Sequence, residues 1–147
     1  MSDEFNTFVD KIIEVLNERN ASTYFYKNVV KYESPISQDL PELAVIFDHM
    51  IPERLNEEQA RYELFANIIY KYANFDAQIQ KEQVDKILAD MVQWLLKNQT
   101  LKGFALSNWV DDVGFATFET TNGLVAGGRL SIRAIKQPID IKWVGLP

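Results

Sequence analysis

The spacing of apolar residues shifts along the chain from helical to alternating, back to helical, and then to strand-like. Between Asp3 and Asn20 the apolar residues Phe5, Phe8, Val9, Ile12, Ile13 and Leu16 recur at i, i+3, i+4 and i+7, with Asp10, Lys11, Glu14 and Asn17 on the other side. That spacing predicts an amphipathic helix, because side chains three and four apart share a face. Ser2 is its expected cap, Asp3 and Glu4 suit the positive end of its dipole, and Asn20 is its expected stop. From Thr23 to Glu33 the aromatic and β-branched residues Tyr24, Phe25, Tyr26, Val29, Val30 and Tyr32 predict one strand, or two broken near Asn28, ended by Ser34-Pro35.

Leu43-Ala44-Val45-Ile46-Phe47 is a continuous apolar run and predicts a central strand buried on both faces. The polar stretch Glu53 to Glu58 carries no strand pattern. It leads into an alternation in which Tyr62, Leu64, Ala66, Ile68, Tyr70 and Tyr72 share one face and Arg61, Glu63, Phe65, Asn67, Ile69 and Lys71 the other. A strand that long is expected to run past the body of its sheet, to bend, or to be covered by a partner.

Lys81 to Asn98 predicts a second helix, with Val84, Ile87, Leu88, Met91, Val92 and Leu95 as its buried stripe and Trp94 in the core beside it. The last third predicts strands at Phe104 to Trp109, Val113 to Glu119 and Arg129 to Lys136. Asp111-Asp112 falls in a solvated loop, and Thr120 to Gly128 is a longer loop with Leu124 and Val125 at its tip. The fold expected from these elements is α+β, a single domain with a mixed, mainly antiparallel sheet and two principal helices packed on it. It occupies residues 1–138, followed by an apolar tail at 139–147.

Composition narrows the function classes. A length of 147 residues suffices for one self-supporting core. The chain has no cysteine, which excludes a disulfide framework and thiolate zinc sites and fits a reducing compartment. The acidic start Met1-Ser2-Asp3-Glu4 is unlike a signal peptide, and no apolar run reaches the length of a membrane span. A net charge of -6, with scattered Lys and Arg, argues against broad nucleic-acid binding.

Chemistry is hard to find. The single histidine, His49, adjoins Asp48, but neighbours on a regular strand point to opposite faces, so the two are not expected to pair. Asp111-Asp112 lacks the further oxygens a hard-metal loop needs, and neither Gly123 nor Gly127-Gly128 belongs to a phosphate-binding pattern. Neither catalytic residues nor a cofactor nor a metal site are expected. Trp109 is expected at a strand end or an interface, and Trp143, in a tail that also holds Ile139, Ile141, Val144 and Leu146, as an interface anchor.

In order, the chain offers a helix, a strand, the Pro-led segment Leu40-Pro41-Glu42-Leu43-Ala44-Val45-Ile46-Phe47, a polar loop, the long strand Tyr62 to Tyr72, the helix Val84 to Leu96 and a closing β segment from Phe115 to Ile135. That order resembles the tail terminator proteins of long-tailed bacteriophages and the wider tail-completion and neck family. The resemblance implies a non-enzymatic virion structural protein in the tail or neck, made in the host cytoplasm. Such a protein forms a hexameric ring that caps the tail tube, stops its polymerisation and presents a head-tail joining surface. The implied partners are copies of itself, the tail tube protein and a head-side connector, with DNA passing through the lumen and read at no specific sequence. Competing readings are a head-to-tail connector or stopper and a small ligand- or peptide-binding domain. The candidate assembly residues are Asp111, Asp112, Leu124, Val125, Ile141, Trp143 and Val144, with Glu53 to Glu58 as a further contact region.

Overall fold

Helix α1 (Glu4–Thr23) forms where the first helical period lies and buries Phe8, Val9, Ile12, Val15 and Leu16. A computed structural model of the chain describes residues 4–32, 40–72, 77–120, 123–136 and 139–140. Asn20 does not stop α1 but organises its exit one turn later. Its amide donates to the Tyr26 carbonyl (2.9 Å) and accepts from the Tyr26 N–H (3.0 Å), while Tyr24, at φ 53°, takes the left-handed position that closes a helix. The segment expected to be strand from Thr23 is therefore helix end and turn, and only β1 (Asn28–Val30) is extended.

The remaining elements are β2 (Glu42–Arg54), β3 (Gln59–Tyr72), α2 (Ala77–Lys97), β4 (Ala105–Thr120), β5 (Gly123–Lys136) and β6 (Ile139–Asp140). The sheet order is β1-β2-β3-β5-β4, with β6 on the start of β3; β1 and β2 run parallel and all other neighbours antiparallel. The fold is thus α+β, with one mostly antiparallel mixed sheet and two helices on one face. That face carries Leu43, Val45, Leu64, Ala66, Ile68, Tyr70, Leu130, Ile132 and Ala134, and meets the stripe Val84, Ile87, Leu88, Met91 and Leu95 of α2. Each large apolar side chain so buried contributes about 1.5–3 kcal/mol.

Three devices fasten the helices. Arg19 of α1 grips Asp90 of α2 through two hydrogen bonds (2.8 and 2.7 Å), and the Trp94 indole donates to the Val15 carbonyl (2.7 Å). Trp94 is thereby half-buried at the helix–helix seam, packed on the core from its rim. After α2 the chain turns through Leu101, Lys102 and Gly103, all at positive φ (48°, 60° and 84°). Buried Asn108 of β4 caps the helix end, its amide donating to the carbonyls of Asn98 and Gln99 (2.8 Å each). On the sheet, a Cβ added at Gly128 would collide with the Leu88 methyls, so the missing side chain is what lets α2 settle there.

Several expectations are corrected by the strand bounds. Glu53 and Arg54 belong to β2, which leaves a loop of only 55–58. Helix α2 ends at Lys97 and begins at Ala77, four residues before the position expected. The strands expected at Phe104 to Trp109 and Val113 to Glu119 are one strand, because β-bulges at Leu106 and Asp111 absorb the irregularities that read as a break. Asp111 and Asp112 therefore lie within a strand. The expected loop from Thr120 to Gly128 is the start of β5, joined to β4 by residues 121–122 alone. Leu124 pairs with Glu119 in the ladder, and Val125 is buried (6% exposed) instead of sitting at a tip.

Candidate assembly interface

The face of the sheet away from the helices is built from the alternate residues of the same strands. Toward the β1 end Glu42 stands in register with Lys71, and Ala44 with Ile69; all four are buried, the last two in a small cluster with Val30, Ile46 and Ala116. Farther along, one row crosses four strands: His49 faces Phe65, Phe65 faces Arg133, and Arg133 faces Trp109. The His49 and Phe65 rings stack at 4.1 Å. Arg133 is held by Glu63 (3.1 Å) and, from the next strand, by Asp111 (3.5 Å). Asp111 thus helps position a guanidinium, while Asp112 is exposed opposite Ser131.

His49 and Asp48 do pair, against expectation, with Nδ1 2.7 Å from the carboxylate. A bulge between Phe47 and His49 breaks the alternation, so that the two side chains meet in mid-strand and not at a strand end. Both are exposed, and among the described residues Asp48 is the imidazole's polar partner; no Ser, Thr or Lys stands ready to be activated. Among the described residues no group of three His, Cys, Asp or Glu could hold a metal ion, and no helix is long and apolar enough to cross a membrane.

Two features stand out as contact surfaces. The first is an arm: β2 and the start of β3 run on beyond the register of β5, which begins at Glu63, with only the short β6 paired to Gln59 and Ala60 there. On it Ile51, Glu53, Arg54 and Leu55 are exposed, Arg61 grips Glu53 (2.6 Å), and Ile51, Glu53, Arg61, Glu63 and Ile135 line a depression of about 130 Å³. The second is the outer edge of β4, which pairs only with β5 among the described strands and carries four exposed large apolar side chains: Leu106, Trp109 (57% exposed), Val113 and Phe115.

Of the residues expected to form the interface, Asp111 and Asp112 lie on this edge strand, whereas Val125 is inside the sheet and Leu124 is in the β4–β5 ladder. Ile141, Trp143 and Val144 lie outside the described residues; the tail before them begins as β6, with Ile139 opposite Ala60. Sequence reasoning passed over Leu106, Val113 and Phe115 because each fits the core side of a regular strand. Their exposure comes from the strand's place at the sheet margin, which no local pattern encodes. No protein-family model matches this sequence, and no curated protein matches it.

Proposed function

We propose that the chain is a virion structural protein of the tail-terminator kind, a subunit of a ring that caps the tail tube and offers a joining surface to a head-side connector. The observation that carries the reading is the arm. A ring needs one surface of each subunit to meet a different surface of the next, and a hairpin that runs on past β5, with only the two-residue β6 against the start of its second strand, offers a projection for a neighbour to receive. Its tip places apolar Ile51 and Leu55 among charged residues, a mixture that suits a contact made and kept in water. The resemblance in element order supports the same reading, and an acidic chain suits a conduit through which DNA slides without being held.

The test is the mass of the purified protein by light scattering, alone and mixed with tail tubes, followed by negative-stain imaging. A ring of about six copies, or a cap at one tube end, is expected. The double variant Ile51→Lys/Leu55→Lys should abolish it while leaving the fold intact. A protein that ignores tubes and attaches to filled heads would make this a connector instead, and one that does neither would overturn the virion reading.

A further inference from the structure

Residues Asp112 to Thr120 of β4 pair with β5 one for one, without a bulge, so the outer margin of this stretch is as regular as its inner one. Its middle, Val113-Gly114-Phe115-Ala116-Thr117-Phe118, contains neither charge nor proline. A bare edge of that composition is a template for another strand and an aggregation hazard. Val113 and Phe115 are 43% and 40% exposed along it.

The opposite margin of the sheet does not match it. There β1 offers three residues flanked by Lys27 and Lys31, and beyond β1 the edge of β2 is kinked by the bulge at Asp48 and lacks an N–H at Pro52. Among the described residues β4 is the long regular free edge, and the strand that fits it in a second molecule is β4 itself.

We propose that two copies of this chain pair antiparallel through β4, about a two-fold axis at Ala116, forming one continuous sheet. Full overlap of the regular stretch fixes the axis. Ala116 then faces its own counterpart, Phe115 faces Thr117, Gly114 faces Phe118, Val113 faces Glu119 and Asp112 faces Thr120. No carboxylate opposes another, whereas an axis at Phe115 would set Asp111 against Glu119. Gly114 adds a second reason. A Cβ built on it meets nothing within 4 Å, which leaves the strand open there to the close approach of a second one.

The pairing goes beyond the ring reading and does not rest on it. A directional ring uses head-to-tail contacts, so the two-fold pair is a resting form that keeps the edge covered before assembly. The chain's lack of cysteine makes the test direct. Single variants Ala116→Cys, Val113→Cys and Glu58→Cys are oxidised mildly and run on non-reducing gels. The axis position alone meets itself, so Ala116→Cys should form covalent dimer about tenfold faster than the other two. Val113→Lys should turn dimer into monomer by light scattering with no change in the far-ultraviolet circular dichroism spectrum. A native chain that stays monomeric at about 1 mM, or an Ala116→Cys variant that oxidises no faster than Glu58→Cys, would overturn the proposal. Should Ala116→Cys misfold, light scattering of native chain against Val113→Lys decides. Cross-linking reads the strand pairing whether or not tubes are capped, so the two readings fail separately.

Discussion

The two faces of this sheet are made by alternate residues of the same strands, yet they are held by different forces. On the helix side Leu64, Ala66 and Ile68 are at most 1% exposed and meet a continuous apolar core. Between them Glu63, Phe65 and Asn67 are half-buried and interact with Arg133, His49 and Ser131 through an ion pair, a ring stack and a hydrogen bond. Free energy of folding therefore concentrates on the helix face, where area leaves water, while around Phe65 the other face is held by polar contacts that set geometry at little net gain, its buried apolar part being the small cluster of Ala44 and Ile69.

The sharpest way to break this comparison is to truncate one side chain on each face, from the paired strands β3 and β5. Ile68→Ala, on the helix side, should cost about 2–5 kcal/mol in urea melts. Arg133→Ala, on the other face, should cost under about 1 kcal/mol, since its ion pairs are partly solvated. Comparable losses would mean the second face is a core in its own right.

Next in size is Gly128→Ala, expected to destabilise by about 1–3 kcal/mol because the new methyl must displace buried Leu88. Combined with Leu88→Ala, the added cost of the methyl should largely disappear. A double variant whose losses simply add would refute the contact.

The smallest effect is electrostatic and sits where the two helices meet. The hydrogen bond from Arg19 holds the Asp90 carboxyl below its ordinary range, against an opposing push from partial burial. The folded state therefore binds that proton less readily than the unfolded state. The resulting stability is complete above the ordinary carboxylate range and is lost as the pH falls through it. Asp90→Asn should flatten the acid limb of the stability curve, as read from urea melts between about pH 7 and about pH 3. Two tyrosines set the alkaline side: burial pushes Tyr26 and Tyr70 up, and their hydroxyls stay protonated donors to Asn17 (2.8 Å) and the Phe25 carbonyl (2.6 Å).

The helix-side face was legible in the sequence because period fixes facing. The stripe of α1 and the alternation of β3 fall where their spacing places them, and the long strand expected from Tyr62 to Tyr72 lies inside the sheet, paired by β5 from Glu63 onward, while the arm is built from residues on either side of the polar loop. What could not be read was set by pairing across the chain. The bulges at Leu106 and Asp111 hid a single strand behind two, and the glycines near Gly128 read as loop although one of them makes room for a helix. Exposure of Val113 and Phe115 depends on strand order, which spacing along one strand does not contain.

The bulge at Asp48 has a last consequence, for how this strand tolerates length change. On either side of it the inward sets, Leu43, Val45 and Phe47 before and Met50 after, keep register with β3 because one residue is left over. Loss of residue 48 alone would leave an unbroken alternation with every neighbour still facing its present side. Loss of Ile46, ahead of the bulge, would instead turn Phe47 away from the helix side. A chain that shed one residue here could shed it without harm at that one place, so the kink that joins His49 to Asp48 is also a built-in allowance for deletion.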